Sequence, residues 1–169
     1  TWVPWMVGAT LVPKPGSTAL VGQELQEFLQ ERRITALCCV PTLLATIDED
    51  LPQLRFLLVS GEACPQDLVA RWYRPWRRFL NVYGPTEAAV TATWVPLRPH
   101  RPVTIGRPLP SYSVVILEPG TTNLAAPGEV GEICIAGICL AAGYVNRPDL
   151  TEKAFIEAPG PIPNNPSGR

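Results

Sequence analysis

The chain has 169 residues, 46% of them hydrophobic, and its 14 basic and 15 acidic side chains give a formal net charge of −1. This length and hydrophobic fraction suit a globular protein with a real core and exclude an intrinsically disordered chain. The small net charge argues against electrostatic capture of nucleic acid or of an anionic membrane surface. Apolar runs stay below the roughly 18 residues that a membrane-spanning helix needs. We therefore expect a cytoplasmic protein without a membrane span.

The cysteines do not have the spacing of a metal site. There are five of them without a Cys-x-x-Cys pair, and the single histidine, His100, lies in a proline-rich stretch. Zinc needs closely spaced nitrogen and sulfur ligands, so we interpret the cysteines as reduced core residues. The cysteines are Cys38, Cys39, Cys64, Cys134 and Cys139.

The first part of the chain alternates helical and strand patterns. Residues 8–12 have the pattern of a short strand, and residues 20–33 that of an amphipathic helix with a narrow apolar stripe. The apolar run at residues 34–40 fits a strand covered on both faces. Pro41 then begins a helix that extends to Asp50.

The same alternation continues through a second and a third strand. Residues 54–59 form a buried strand, a helix from Pro65 extends to about residue 74, and residues 79–82 form the next strand. This spacing predicts an α/β fold, with a parallel sheet flanked by helices up to about residue 94. Ligands gather at the carboxyl ends of such strands. Cys38, Ser60 and Val82 lie at or near those ends, so we expect their turns to share one crevice.

The pattern changes after Val95. Prolines 96, 99, 102, 108 and 110 interrupt a loop-rich connection, and residues 112–117 and 132–136 then have strand patterns separated by Pro-Gly turns. We expect a small antiparallel β-subdomain, a short helix near residues 151–155 and an exposed tail from residue 158. The predicted division is residues 1–97, an α/β subdomain with the strand-end crevice, and residues 98–169, a loop and β-subdomain.

The strongest chemical signal is the turn that follows the third strand, with the sequence Asn-Val-Tyr-Gly-Pro-Thr-Glu at residues 81–87. Gly84 permits close backbone approach or a positive φ, and the proline keeps the loop out of a regular element. Thr86 and Glu87 are thereby presented together, a hydroxyl that can donate to a phosphate and a carboxylate that can take Mg²⁺. The ring of Tyr83 can stack on a flat ring. An ordinary turn capped by Thr86 is the alternative.

Three ordered motifs resemble those of one family. Residues 81–87 are similar to the central motif of the adenylation domains of nonribosomal peptide synthetases, which share a superfamily with acyl-CoA synthetases and firefly luciferase. Residues 128–137, Gly-Glu-Val-Gly-Glu-Ile-Cys-Ile-Ala-Gly, resemble the family's Gly-Glu-Leu-x-Ile-x-Gly block. Ala-Ala-Gly-Tyr at residues 141–144 and Arg-Pro-Asp-Leu-Thr at residues 147–151 resemble the blocks that follow it. Residues 57–63 resemble the strand and turn that precede the central motif.

The resemblance implies a domain that binds ATP, Mg²⁺ and an amino acid and forms an acyl-adenylate with release of pyrophosphate. The acyl group would then pass to the phosphopantetheine thiol of a carrier protein, so carrier-protein and condensation domains of the same assembly are the implied partners. By matching position, Tyr83 would stack on adenine and Asn81 would contact its edge. Thr86 would reach the phosphates, and Glu87 would hold Mg²⁺.

The resemblance also implies a nucleotide wall and a substrate pocket. The cofactor-binding positions besides Asn81 and Tyr83 are Gly61, Glu62, Ala63 and Gly84, the first three as the backbone wall beside adenine. The pocket positions are Cys38, Leu58, Ser60, Val82, Val90 and Thr91. The pocket positions are all uncharged, and burying an unpaired charge costs several kcal/mol. We therefore expect a neutral substrate side chain of moderate size.

The chain also departs from the family pattern. Four parts of the family pattern do not occur in this sequence. They are the phosphate loop ending in Lys-Gly, the ribose-binding Asp, the Asp that anchors the substrate amine and the catalytic lysine of the C-terminal domain. We therefore expect an internal fragment of the large N-terminal domain that does not catalyse adenylation alone. Ile138 and Ala142 stand where the family has Gly and Arg. Residues interpreted as structural are Glu132, Gly137, Gly143, Tyr144 and Arg147, the last pairing with Asp149 or Glu152.

Two alternatives remain. One is a fatty-acyl or aryl-acid CoA ligase of the same superfamily, although such relatives more often carry Tyr-Gly-(Met/Ser/Gln)-Thr-Glu. The other is a non-catalytic binding module derived from this fold. The replaced arginine and the missing parts favour the module, whereas the intact pair of Thr86 and Glu87 opposes it.

Overall fold

The computed structural model describes residues 2–14, 16 and 19–158, and the side chains of residues 2 and 3 lie outside the description. Its helices are α1 Trp2–Met6, α2 Gly22–Glu31, α3 Pro41–Ala45, α4 Gln66–Trp72 and α5 Pro148–Ala154, with a 3₁₀ turn at Thr86–Ala88. Its strands are β1 Ala36–Cys39, β2 Phe56–Val59, β3 Arg78–Tyr83, β4 Thr93–Pro96, β5 Arg107–Pro108, β6 Tyr112–Leu117 and β7 Glu132–Gly137.

The strands form a five-stranded sheet in the order β1-β2-β3-β4-β5 and a two-stranded sheet of β6 and β7. Strands β1 and β2 are parallel, β4 and β5 are antiparallel, and β6 pairs with β7 in antiparallel register. The predicted fold class, a helix-flanked α/β sheet followed by a small antiparallel unit, is confirmed. Strands β4 and β5 were not predicted, and their antiparallel pairing makes the larger sheet mixed.

The chain divides into two compact units. The first is formed by Thr1–Leu80 and Leu97–Val103, and the second by Asn81–Pro96 and Thr104–Arg169. The domain boundary at residue 97, which the change in sequence pattern predicts, stays a prediction.

The core of the first unit lies under β2. Leu57 and Val59 are completely buried, whereas Phe56 and Leu58 on the other face are half-buried. Each fully buried aliphatic side chain of this kind stabilises the fold by about 1.5–3 kcal/mol. Other buried side chains of the unit are Leu25, Leu29, Leu44, Ile47, Leu51, Leu54, Leu68, Val69 and Trp72.

Strand β1 was expected to be covered on both faces, and this expectation is wrong. Ala36 and Cys38 are exposed, whereas Leu37 and Cys39 are half-buried. The strand lies at one end of the sheet order, where only β2 flanks it among the described strands. The apolar run therefore marked a strand but did not predict how it is covered.

Two predicted boundaries need correction. Residues 8–12 do not form a strand, because the N–H groups of residues 7–9 bond back to carbonyls of α1 and continue its last turn. Helix α3 ends at Ala45 rather than Asp50. Beyond its end, the hydroxyl of Thr46 donates to the Leu43 carbonyl at 2.8 Å and accepts the Gly22 N–H at 2.9 Å. The predicted tail, apart from Ala158, lies outside the described residues.

A buried arginine holds the last part of the first unit together. Arg77 is 4% exposed, and its guanidinium donates to the carboxylate of Asp50 at 2.9 Å. It also donates, over 2.7–2.9 Å, to the carbonyls of Leu51, Leu54 and Trp72. Arg74 pairs with the other oxygen of Asp50 at 2.9 Å. Burial alone would raise the pKa of Asp50, but hydrogen bonds and charge from Arg77 and Arg74 outweigh it and hold that pKa below its ordinary value.

The second unit is built around β6 and β7. Tyr112 pairs with Gly137 at one end of the ladder and Leu117 with Glu132 at the other. Buried Ala88, Ala92 and Tyr112 form a cluster against which Leu109, Ile135 and Leu140 pack. The predicted short helix is confirmed as α5, which begins earlier than expected because Pro148 occupies its first position.

Candidate functional site

The turn after β3 is closed by its own main chain. The Ala92 N–H donates to the Tyr83 carbonyl at 2.9 Å, and the N–H groups of Ala88 and Val90 donate to the Pro85 carbonyl at 3.0 and 3.2 Å. The loop between β3 and β4 is therefore a compact turn with defined hydrogen bonds rather than a free connection.

Gly84 allows the two sides of this turn to meet. A Cβ at this position would lie 2.6 Å from the nitrogen of Ala92 and 2.8 Å from the oxygen of Val90. Its φ is not positive. Of the two reasons expected for this glycine, close backbone approach is the one observed, and the approaching backbone belongs to the same turn.

The turn presents three predicted site residues to solvent. The side chain of Tyr83 is 37% exposed at the end of β3, Thr86 is exposed and Glu87 is half-buried. Thr86 and Glu87 are the first two residues of the 3₁₀ turn Thr86–Ala88. An aromatic face, a hydroxyl and a carboxylate are thus available to a ligand on one short segment.

Glu87 is fixed by the segment that carries the second motif. Its carbonyl accepts the Ala141 N–H at 2.7 Å, and its carboxylate oxygen Oε1 accepts a hydrogen bond from the hydroxyl of Tyr144. The neighbouring carbonyl of Ala88 accepts the buried hydroxyl of Tyr112 at 2.7 Å. Both the main chain and the side chain of Glu87 therefore have defined positions within the second unit.

The chemistry at Glu87 fits a magnesium ion. The hydrogen bond from Tyr144 holds the pKa of Glu87 below its ordinary range, so the carboxylate is ionised at neutral pH. The same bond raises the pKa of Tyr144, which keeps its proton. One such bond uses one of about four lone-pair sites on a carboxylate. Glu87 retains acceptor capacity for a hard cation, and the exposed hydroxyl of Thr86 adds an oxygen beside it.

The other predicted residues of β3 are buried. Asn81 is 6% exposed, and its amide nitrogen donates to the Thr104 carbonyl at 2.8 Å. Val82 is also 6% exposed. The amide of Asn81 thus has a structural contact in addition to the predicted one with adenine, which stays a prediction.

The far side of the turn has a strained backbone. Ala89 and Val90 have φ values of +48° and +73°, in the left-handed region that β-branched residues rarely adopt. The Val90 side chain is nevertheless 65% exposed, so little packing offsets this cost. Thr91 follows with a half-buried side chain. Strained backbone of this kind clusters at functional sites, which makes Ala89 and Val90 candidates for a functional segment.

Three predicted pocket residues lie on one sheet face in the first unit. Cys38 of β1 is the register partner of Leu58 in β2, and paired residues of neighbouring strands project to the same face. Ser60 lies two positions after Leu58, and its N–H extends the ladder to the Cys39 carbonyl at 3.3 Å. The structure therefore brings Cys38, Leu58 and Ser60 together at the carboxyl ends of parallel strands.

The turn at residues 61–63 is exposed. Glu62 in this turn accepts hydrogen bonds from the N–H and the hydroxyl of Thr42, at 3.1 and 3.0 Å. Thr42 lies in the first turn of α3, so this carboxylate satisfies an N–H that the helix cannot satisfy and adds favourable negative charge there. Glu62 consequently has a structural role that its predicted place beside adenine did not indicate.

The cysteines differ in exposure. Cys64 is buried as expected, Cys39 and Cys134 are half-buried, and Cys38 and Cys139 are exposed. The expectation of five core cysteines is therefore wrong for the two exposed ones. Burial raises the pKa of Cys39 to about 12, with smaller contributions from the neighbouring thiols of Cys38 and Cys64, and it raises the pKa of Cys64 to about 11, with a smaller contribution from the Asp67 carboxylate. Both thiols therefore stay protonated at neutral pH and are poor nucleophiles. Within the described residues no cluster of three His, Cys, Asp or Glu side chains has metal-site geometry.

A groove of about 860 Å³ lies in the second unit, alongside the turn. Tyr83, Glu87 and Tyr144 line it, together with residues of β6 and β7, including Glu132, and the end of α5. Its volume is within the range typical of small-molecule sites.

Every helix in the described part of the chain falls short of the length and apolar character that a membrane span requires.

Two partners of site residues were not predicted. Tyr144 was interpreted as structural, and the contact between Glu62 and Thr42 was not foreseen. The only available signal for Tyr144 was its place in a motif of the resemblance, since 57 residues separate it from Glu87. Arg147 was expected to pair with Asp149 or Glu152, and the structure shows the pair with Asp149, at 2.7 and 2.8 Å.

The helix-flanked sheet and the Thr-Glu turn after β3 agree with the motifs that resemble a family of nucleotide-using enzymes. The family model described as AMP-binding enzyme matches residues 1–145. The chain therefore belongs to the AMP-binding enzyme family, as the motifs predicted.

Among curated relatives, the chain is similar to the Delta-poly-L-ornithine synthetase of Acinetobacter baumannii, with 45% identity over 94% of this chain and 12% of that protein. It is also similar to Novobiocin biosynthesis protein H of Streptomyces niveus, with 48% identity over 90% of this chain and 25% of that protein. The chain thus spans a quarter or less of the length of these relatives.

Solved structures show the same fold. The nonribosomal peptide synthetase FmoA3, in its alpha-methyl-L-serine-AMP bound form, superposes with a TM-score of 0.81 at 28% identity, over 90% of this chain and 19% of that chain. PA1221, an NRPS protein containing adenylation and PCP domains, gives a TM-score of 0.73 at 26% identity, over 90% of this chain and 32% of that chain.

Proposed function

We propose that the chain is part of an amino-acid-activating adenylation domain, which forms an aminoacyl-adenylate from ATP and passes the amino acid to a carrier-protein thiol. The observation that carries this proposal is the turn that presents Tyr83, Thr86 and Glu87 together, with Glu87 ionised and fixed. Membership of the AMP-binding enzyme family and the similarity to nonribosomal peptide synthetases support it.

The reaction needs positioning more than acid–base chemistry. A carboxylate oxygen of the amino acid forms a bond to the α-phosphorus of ATP, and the bond from that phosphorus to the bridging oxygen breaks, so pyrophosphate leaves with the electron pair. The nucleophile is already ionised, and a general base is not needed. Thr86 would donate its hydroxyl to a phosphate oxygen, and Tyr83 would hold the adenine by stacking. Mg²⁺, held by Glu87, would supply neutralisation of phosphate charge.

The remaining site residues would shape specificity. Asn81 and the turn of Gly61, Glu62 and Ala63 would contact the adenine, with Gly84 keeping the Thr-Glu turn compact. Because the predicted pocket positions are uncharged, the expected substrate is a neutral amino acid of moderate size. The pocket positions are Cys38, Leu58, Ser60, Val82, Val90 and Thr91.

We propose that the partner domains belong to the same peptide-synthetase assembly as this chain. PA1221 contains adenylation and PCP domains in one protein, which supports a carrier domain as the acceptor for this chain's parent protein. The acceptor thiol would be that of phosphopantetheine, with a condensation domain using the loaded amino acid. We propose a cytoplasmic location, where ATP is available to such an enzyme. Loading of a phosphopantetheinylated carrier with a radiolabelled amino acid tests this part.

ATP–pyrophosphate exchange by the full-length protein, with each common amino acid in turn, tests the activity. We expect exchange with one neutral amino acid, and a loss of about 100-fold or more in Glu87→Ala, because a group that stabilises developing charge contributes this much. Glu129→Ala is the matched control, since Glu129 is an exposed glutamate of the same unit.

The other outcomes separate the alternatives. CoA-thioester formation with a fatty or aryl acid, without exchange for amino acids, would identify a CoA ligase. Absence of exchange with any acid, from a folded full-length protein, would identify a non-catalytic module.

A further inference from the structure

The carboxylate of Glu87 is held by a residue that neither the reaction nor the family match assigns a role. The hydroxyl of Tyr144 donates to Oε1 of Glu87, although 57 residues lie between them. The family match covers Tyr144 but says nothing of this contact. A glutamate on a surface turn would otherwise rotate about several side-chain bonds.

Tyr144 is itself held by contacts of its backbone and of its ring. Its N–H donates to the hydroxyl of Thr151 at 2.9 Å, and that hydroxyl donates to the Arg147 carbonyl at 3.0 Å. The ring contacts Phe155 edge to face, with centroids 5.9 Å apart. A hydroxyl with a fixed ring and a fixed backbone can orient its acceptor.

Gly143 makes this placement possible. A Cβ on Gly143 would lie 2.5 Å from the methyl carbon of Thr151 and 2.8 Å from its hydroxyl, and φ is +143°, which side chains rarely allow. The sequence Gly-Tyr at residues 143–144 therefore brings the main chain against α5 and directs the tyrosine toward Glu87.

We propose that Tyr144 is a positioning residue that orients the Glu87 carboxylate, so that one oxygen is occupied by the hydroxyl and the other is presented to a divalent cation. This inference rests on the proposed function, in which Glu87 holds Mg²⁺. Carboxylates that bind metals are commonly hydrogen-bonded by a second group, and loss of that group lowers metal affinity about 10- to 100-fold. The Ala141 N–H, bonded to the Glu87 carbonyl at 2.7 Å, fixes the main chain from the same segment.

The chain offers a matched pair of tyrosines for the test. Tyr144→Phe removes the hydroxyl at Glu87 and keeps the ring against Phe155. Tyr112→Phe removes a hydroxyl that binds the Ala88 carbonyl at 2.7 Å, one residue away, and does not contact the carboxylate. A merely structural role predicts the same behaviour for both variants, whereas a positioning role predicts different behaviour.

The primary measurement is Mn²⁺ affinity of the full-length protein by electron paramagnetic resonance, with a non-hydrolysable ATP analogue at saturation. Tyr144→Phe is expected to weaken Mn²⁺ binding about 10-fold. The Mg²⁺ concentration for half-maximal exchange should rise similarly, with the maximal rate recovered at high Mg²⁺. Tyr112→Phe should lower the melting temperature and leave Mn²⁺ affinity unchanged.

Two further variants keep the inference testable if Tyr144→Phe folds poorly. Thr151→Val removes the partner of the Tyr144 N–H and should weaken Mn²⁺ in the same direction by a smaller factor. In Glu87→Ala, the added change Tyr144→Phe should have no further effect on Mn²⁺, because the tyrosine acts through the carboxylate.

The outcomes distinguish this inference from the function on which it rests. If wild type binds Mn²⁺, Glu87→Ala weakens that binding and Tyr144→Phe equals wild type, only the positioning role is overturned. Tighter Mn²⁺ binding by Tyr144→Phe would also overturn it, because the hydroxyl would then compete with the cation. If Glu87→Ala binds Mn²⁺ as wild type does, the metal role of Glu87 fails, and the inference fails with it.

Discussion

Asp50 in the first unit and Glu87 in the second are both ionised carboxylates with a fixed neighbour, but their surroundings differ. Asp50 bridges Arg74 and the buried Arg77, each at 2.9 Å, so both of its oxygens are used within the protein. Glu87 accepts one tyrosine hydroxyl and has no arginine or lysine within ion-pair distance among the described residues. The comparison shows what separates a carboxylate that stabilises the fold from one that can serve a ligand, namely unused acceptor capacity at an exposed turn.

Replacing Asp50 is expected to have the largest effect on stability. Asp50→Ala leaves a guanidinium whose side chain is completely buried without its charged partner. Such a loss typically costs about 3–5 kcal/mol, and partial exposure of Asp50 lowers our expectation to about 2–3 kcal/mol. Urea unfolding followed by circular dichroism measures the free energy of unfolding.

The exposed pair of Arg147 and Asp149 is the control for Asp50→Ala. Both side chains are more than half exposed, at 55% and 61%. Asp149→Ala should leave the urea midpoint unchanged, because solvent screens such a pair. An equal loss of stability in both variants would show that burial does not decide the value of these ion pairs.

The dependence of stability on pH should distinguish an electrostatic role of Asp50 from a packing role. Its pKa is lower in the folded chain than in the unfolded one, where it is about 3.9. Its stabilisation is therefore fully present above about pH 4 and is lost as pH falls through the folded pKa.

The difference in melting temperature between wild type and Asp50→Asn should accordingly be constant from pH 6 to 8 and shrink below about pH 4. Melting temperatures at stepwise lower pH, at fixed ionic strength, measure this. A difference that persists unchanged into strong acid would assign the effect to packing.

The sequence predicted those features that depend on neighbouring residues. Thr86 and Glu87 are adjacent, so their joint presentation required only that the glycine and proline before them end β3. The parallel arrangement of β1 and β2 followed from the alternation of helix and strand patterns, since crossover connections bring strand ends to one edge. The register that pairs Cys38 with Leu58 was not predicted.

Features set by contacts between distant residues were not predicted. The contact of Tyr144 with Glu87 joins residues 57 positions apart, and it accompanies the tight approach of Gly143 to Thr151. Strand β5 was missed because it is two residues long and contains Pro108, which is tolerated at a sheet edge but argues against a strand locally. The exposure of Cys38 depends on what covers β1, and an apolar run does not contain that information.

The smallest predicted effect concerns backbone strain in the turn that follows β3 in the second unit. Val90→Gly removes a β-branched residue from φ +73°, which relieves about 1–2 kcal/mol of strain. Glycine also gives the unfolded chain more freedom, at a cost of about 0.5–1 kcal/mol. The net expectation is a gain of about 0–1.5 kcal/mol in unfolding free energy, measured as a rise of up to a few degrees in melting temperature.

Val130→Gly is the matched control for this change, because Val130 is also exposed and has no positive φ. It should lower the melting temperature or leave it unchanged. A gain in Val90→Gly accompanied by weaker amino-acid-dependent exchange would mean that the strained backbone holds the predicted pocket residue in place for the substrate. A gain with unchanged exchange would mean that the strain follows only from the compact turn that Gly84 permits. The difference between Asp50 and Glu87 would then be limited to the partners of the two carboxylates, because the strained turn beside Glu87 would have no part in substrate binding.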